Sequence, residues 1–191
     1  MKMKILFGIL FVFLVNEVSI EIINENTYLE YDEIESCSYS KVKTYMPYDT
    51  VTNEDTKQYH LIKNELYITD SGLLKDKYGY IAAALGSYYG EIGDRFIFTL
   101  DTGVELHIIK ADAKSNQDTN GCIHNTDDSV IEFIIDVDKA AKTFKRGGNN
   151  LVSHGNFNHQ EIFKGRISKV ERVIIDEFAA DQASLFPYKI N

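Results

Sequence analysis

Residues 110–125 read "KADAKSNQDTNGCIHN", and Glu132 follows inside "SVIEFIID". Two aspartates, two lysines, a cysteine and a histidine share one glycine-broken stretch, with a glutamate a few residues on. A polar loop held between strands is where binding and catalytic groups are usually mounted. In "SVIEFIID", Ile131, Phe133 and Ile135 alternate onto one face, leaving Glu132 on the other with Val130, Ile134 and Asp136. A carboxylate among aliphatic neighbours loses solvation, which raises its pKa toward the range a general acid needs near neutral pH. Asp112 closes the preceding strand and is placed to face Glu132 across a sheet. The bland readings are a solvent-facing strand residue for Glu132 and a turn former for Asp112.

The same residues fit other chemistry. Asp112, Asp118, His124 and Glu132 are oxygen and imidazole ligands of the kind that hold a divalent metal and activate a water. Their spacing matches no closed metal signature, so no metal or other cofactor is expected, and a metal-dependent hydrolase is kept as an alternative. Cys122 lies near His124 and is a candidate nucleophile. It is also one of only two cysteines, so it can instead pair with Cys37 in an oxidising compartment.

The elements around this loop read as strands. "SKVKTYMPYD" alternates Val42, Thr44 and Met46 and stops at Pro47. "HLIKNELYITDSG" is read as a strand ending in a Ser-Gly turn, and "YGYIAAALGSYYG" is small and apolar. "DRFIFTLDTG" and "VELHIIKAD" make a hairpin across a short turn. "VDKAAKTFK" is a helix candidate closed by Gly147-Gly148, and "EIFKGRISKVERVIID" gives closing strands with Gly165 as a bend. Short strands at near-regular spacing with glycine turns predict a mainly β barrel or sandwich. "GSYYGEIG" is no dinucleotide fingerprint, because no amphipathic helix is read after it.

Bulk composition narrows the partners. The chain has 191 residues, 44% of them apolar, enough for one sizeable domain. A net charge of −9 without any Lys/Arg cluster argues against nucleic acid. "MKMK" followed by the apolar run "ILFGILFVFLV" reads as a secretory leader, too short to span a bilayer comfortably. No small-x-small cleavage site follows cleanly, so retention as a membrane anchor stays open. The expected plan is therefore a leader or anchor over 1–20, an N-terminal extension over 21–40, a domain over 41–178 and a tail over 179–191. His60 and His107 fall on expected strands and His154 and His159 in a polar loop; none is read as functional.

The order of "KTYMPYD", "ITDSG", "YIAAALGSYYGEIGDRFIFTLDTG", "IIKADAK" and "SVIEFIID" resembles the three-aspartate domain. That domain is the double-psi β-barrel shared by membrane-bound lytic transglycosylase A and by spore and resuscitation-linked wall proteins of Gram-positive bacteria. The resemblance covers residues 41–138. It places the first-strand opening on Thr44, Tyr45 and Pro47, and the Ser-Gly turn on Thr69, Ser71 and Gly72. Ile92-Gly93 match the Leu-Gly before the hairpin. The Asp of an Asp-Thr-Gly-Gly loop falls on Asp112, and the Asp of the last strand falls on Glu132. The sequence departs from this pattern in three places. Ala84 stands where one of the three acids belongs, Ala113-Lys114-Ser115 replace the glycines, and Glu132 replaces an aspartate.

The resemblance implies a six-stranded double-psi barrel with one or two short helices. It implies cleavage of peptidoglycan glycan strands outside the cell or in the wall, by a monomer that meets the membrane only through an uncleaved leader. Glu132 would be the acid/base and Asp112 its support. Tyr80, Tyr88, Lys114, Asp118 and His124 would contact the glycan, with no cofactor. Tyr78 and Tyr89 belong to the same aromatic cluster, which as simple core packing needs no ligand. A second class of function, a non-catalytic wall-binding module, follows if the missing acid at Ala84 is decisive.

Overall fold

A computed structural model describes residues 20–24, 27–144 and 157–175. The stretch expected as a leader, through residue 19, the glycine pair 147–148, His154 and the residues after 175 lie outside the described residues. The chain is mainly β: among the described residues ten strands form one mixed sheet system, with three short α-helices. β1 (Ile20–Asn24) and β2 (Thr27–Ile34) precede β3 (Lys43–Pro47), so the stretch expected as an extension contributes a hairpin. β2 pairs antiparallel with β10 (Ile167–Ile175). Two-residue strands β4 (Tyr67–Ile68) and β5 (Leu74–Lys75) lead into β6 (Ile81–Leu85). The expected hairpin forms from β7 (Arg95–Leu100) and β8 (Glu105–Ala113), and β7 also pairs with β10.

β6 is the junction of the sheet. It runs parallel to β8 on one side and antiparallel to β9 (Ile131–Ile135) on the other, and β9 in turn runs parallel to β3. Near the far end of this path Ile167 N–H donates to the Ser40 carbonyl at 3.1 Å. Alternation along each strand sends side chains to two apolar clusters. Ala83, Leu85, Phe96, Phe98, Ile108, Ile131, Phe133 and Ile135 enter the larger, aromatic-rich cluster. Ala82, Ile97, Ile109, Ala111 and Ile134 enter the other.

The largest further difference from the sequence reading lies just before β4. "HLIKNELYITDSG" was expected as a strand, but α1 (Lys57–Asn64) takes up its first part, leaving only Tyr67–Ile68 extended. The Thr56 side chain caps this helix by accepting from Tyr59 N–H at 3.2 Å, which fixes its start. Leu61 and Ile62 then face the second cluster and bury there. The cap and the helical spacing of Tyr59, Ile62 and Leu66 outweigh the weak alternation. His60 is accordingly on an exposed helix face, whereas His107 does lie on a strand. α2 (Asn116–Thr119) is one turn in the loop after β8, and α3 (Val137–Thr143) forms where a helix was expected, capped by Asp136. No helix of the described residues is long and apolar enough to cross a membrane.

Candidate active site

The sheet register brings the two expected acids to one lateral row. Ala84 of β6 pairs with Asp112 of β8 on one side and with Glu132 of β9 on the other, and Glu132 pairs with Thr44 of β3. Strands lie ~4.8 Å apart, so the Asp112 and Glu132 backbones are separated by ~10 Å, with only alanine between them. In-register partners point to the same face, so Thr44, Glu132, Ala84 and Asp112 share one.

Asp112 reaches that face through a bulge. Ala83 pairs with Lys110 but Ala84 pairs with Asp112, so Ala111 is an extra residue on β8. In an unbroken register Asp112 would fall opposite Leu85, on the aromatic side. Bulges of this kind re-aim one side chain at the end of a strand. The Asp112 carboxylate then accepts from Ala113 N–H at 2.8 Å and from the Gln58 side chain at the start of α1. Burial nevertheless pushes its pKa up, against these bonds and the charge of Lys110.

Glu132 is half-buried, between buried Ile131 and Phe133 in sequence. Burial raises its pKa, the charges of Asp127 and Asp112 act in the same direction, and Lys114 and His124 oppose. It is therefore a carboxyl with a raised proton affinity that still reaches solvent. Beside it, Thr44 is 7% exposed and its Oγ1 has no hydrogen-bond partner among the described residues. Buried hydroxyls are rarely left unpaired, so an unpaired one in the row of a desolvated acid marks a place for a further group.

The loop after β8 completes the site. Lys114 is 8% exposed, with Nζ donating to Ser129 Oγ at 2.8 Å and to the Ser129 carbonyl at 3.2 Å. Burial lowers its pKa, while Glu132 and Asp127 pull it back up. Asp127 accepts from Ser129 N–H at 2.8 Å, and His124 Nδ1 lies 3.2 Å from Asp127 Oδ1. Burial would raise Asp127, but the Ser129 bonds with His124 and Lys114 outweigh it and hold it below its usual value. The loop is docked on the end of β6: Tyr88 N–H donates to the Gly121 carbonyl at 2.8 Å and Ser87 Oγ to Asn116 Oδ1 at 2.7 Å. A Cβ on Gly86 would overlap the Gly121 carbonyl, so this contact requires glycine.

Cys37 and Cys122 form a disulfide, which removes Cys122 as a resting nucleophile and ties the His124 loop to the segment after β2. Closing a loop of 85 residues is worth on the order of 4 kcal/mol in the chain-entropy account.

The structure thus gathers Asp112, Glu132, Lys114 and His124, though Lys114 points into the protein instead of toward a ligand. Tyr88 stays beside the loop, 46% exposed, with its hydroxyl on the Glu35 carbonyl. Tyr80 does not join them. It is 5% exposed at the opposite end of β6, its ring beside His107 and Arg95, so it has no free face for a glycan. Asp118 is exposed on α2 and is not among the charges acting on Glu132. Among the described residues no three His, Cys, Asp or Glu side chains converge as a metal ion would require, including the set Asp112, Asp118, His124 and Glu132. Two cavities, of about 350 Å³ beside Pro47 and Asp136 and about 450 Å³ beside α1, are lined by neither acid.

Gln58, Asp127 and Ser129 are the site residues that sequence reasoning missed. Gln58 was hidden by the strand reading of α1's neighbourhood. The other two carry a usable signal, since "TDDS" before a strand is a side-chain-to-backbone turn sequence. Comparison with protein-family models, with curated proteins and with solved structures returns no match.

Proposed function

We propose that this chain is an exported glycan-cleaving enzyme of the lytic transglycosylase type, acting on peptidoglycan with Glu132 as its single acid/base. The observation that carries the reading is Glu132 itself: a half-buried carboxyl of raised proton affinity, beside the unpaired Thr44 hydroxyl and one alanine away from Asp112. The double-psi barrel belongs to the same proposal. Following the pairings β3–β9–β6–β8–β7–β10, the hydrogen bond from Ile167 to Ser40 returns the path to the residues before β3. Lys43 Nζ adds a 2.7 Å bond to the Gly165 carbonyl across the same seam. These two bonds support reading the path as a ring of six strands, with β1, β2, β4 and β5 outside it.

The chemistry needs only one proton carrier. Protonated Glu132 gives its proton to the oxygen linking N-acetylmuramic acid to N-acetylglucosamine. The C1–O bond breaks with its electron pair leaving on that oxygen. The resulting carboxylate then takes the proton of the muramyl 6-hydroxyl as its oxygen attacks C1, closing a 1,6-anhydro ring without consuming water. Ordinary glycosidases flank the bond with two carboxyl groups. Here Asp112 is assigned the supporting role, favouring positive charge as it develops at C1.

Ala84, standing where the resembled pattern has an acid, favours a second reading: a wall-binding module without turnover. Incubating the purified protein with intact sacculi and analysing soluble muropeptides by mass spectrometry decides between them. The expected result is 1,6-anhydromuramyl ends that disappear with Glu132→Gln. Reducing ends would mean hydrolysis. Saturable binding with no soluble product would replace the enzyme reading by the binding module.

A further inference from the structure

Lys114 crosses the end of one strand to reach the next. Its own N–H donates to the Leu85 carbonyl at 3.0 Å, so its backbone still follows β6 on the β8 side. Its ammonium ends on Ser129, on the β9 side and three residues before Glu132. The side chain therefore bridges the two flanks of β6 one residue beyond Ala84, whose β9 neighbour is Glu132. An ammonium this buried is costly unless opposite charge faces it. The carboxylates that act on it are Glu132 first and Asp127 second.

We propose that Lys114 is the positioning residue for Glu132, a fixed ammonium that orients the carboxylate and sets the pH at which it holds its proton. The inference rests on Glu132 being the reacting acid, but the pairing itself is measurable without substrate. Glu132 is faced by Asp112 from the end of β8, by Lys114 from the loop just after it, and by His124 and Asp127 from the loop before β9. Of these, Lys114 is the foremost influence opposing burial, and Ser129 fixes its place. Asp127 holds Ser129 in turn through the backbone, with His124 beside it.

The test follows the Glu132 carboxyl by ¹³C NMR in the full chain, its signal assigned by its loss in Glu132→Gln. Removing a nearby opposite charge shifts a carboxyl by about one pH unit. Lys114→Met is therefore expected to raise the Glu132 midpoint by about that amount, Ser129→Ala by less, and Lys114→Arg least. The reciprocal measurement needs no Lys114 variant: in Glu132→Gln the Lys114 amine, followed by ¹⁵N NMR, should titrate at lower pH. An unmoved Glu132 midpoint in folded Lys114→Met overturns the proposal. If Lys114→Met does not fold, an unmoved Lys114 midpoint in Glu132→Gln overturns it equally. Activity is read separately. A general acid works protonated, so the high-pH limb of sacculus cleavage should move upward in Lys114→Met together with the Glu132 midpoint. If the native protein releases nothing, the enzyme reading fails while the two titrations still decide the pairing. If product forms and the limb stays while the midpoint moves, the pairing stands and Glu132 is not the acid.

Discussion

On one face of β6, β8 and β9, Ala83, Leu85, Ile108, Ile131, Phe133 and Ile135 are sealed against phenylalanines from the 3₁₀ turns before β10. On the other face of the same strands, Ala84, Asp112 and Glu132 stand in a row with Thr44 of β3. There, two acids are desolvated and one hydroxyl lacks a partner. Packing explains the first face, apart from the hydrogen-bonded Lys43 at its edge, and does not explain the second. Native proteins depart from local stability rules chiefly where function requires it, so the difference points to the second face as the working one.

The comparison breaks most visibly at Phe133. Its ring lies 4.7 Å from Phe163 and 5.5 Å from Phe157, and its side chain is fully buried. Phe133→Ala is expected to cost about 3–5 kcal/mol in urea unfolding, since it removes transfer energy and leaves a cavity. A loss below about 1 kcal/mol would mean that this face is not the packed core described here.

Lys43 sharpens the comparison from the edge of the same packed face. It pairs with Ile131, has no exposed surface, and donates to the carbonyls of Gly165 and Lys41. Burial lowers its pKa to about 8, against the pull of Asp101. Between that value and the ordinary lysine value the unfolded chain binds the extra proton, so stability rises with pH. The gain has an upper limit on the order of 3 kcal/mol. Lys110 and Lys114 are lowered too and add in the same direction. Above about pH 10 the trend reverses, because burial raises the pKa of Tyr89 and the unfolded chain ionises first. Thermal melts from pH 7.5 to 10 should show the rise, and Lys43→Met should remove most of its slope. A flat profile in the native protein would contradict the buried, charged-at-cost account of this lysine.

Much of the first face was legible in the sequence. Alternating Phe96, Phe98 and Leu100, then Ile131, Phe133 and Ile135, announce strands through their period of two, and Asp101-Thr102-Gly103 announces the hairpin. The second face was legible only in part. Glu132 stood out because it breaks an aliphatic run. The side Asp112 would take could not be counted from its own strand, because one inserted residue at Ala111 decides it. That bulge is a property of pairing with β6, a long-range fact that spacing along β8 does not carry. Tyr80 and Lys114 show the opposite failure. Both were expected to contact a glycan, whereas burial depends on which residues the fold lays over them. α1 was missed because Leu61-Ile62 beside polar neighbours fits either period, and the Thr56 cap that decides it lies outside the apolar pattern.

The smallest expected effect carries the most information about the two faces, because its sign is reversed. Glu132 and Asp112 both have folded pKa values raised first of all by burial. A carboxyl of that kind contributes stability below its unfolded value and loses it as pH rises through the folded one. At neutral pH each acid therefore stands at a cost, which an uncharged amide of the same shape avoids. Glu132→Gln and Asp112→Asn are expected to stabilise the protein at pH 7, each within about 1 kcal/mol, and to be neutral near pH 4. Glu132→Gln leaves the Lys114 ammonium without its first counter-charge, so its gain should be the smaller of the two. Chemical denaturation at the two pH values measures the difference directly. Destabilisation at pH 7 by both amides would mean that these carboxylates hold the fold together, and the face they share would then be structural like its opposite.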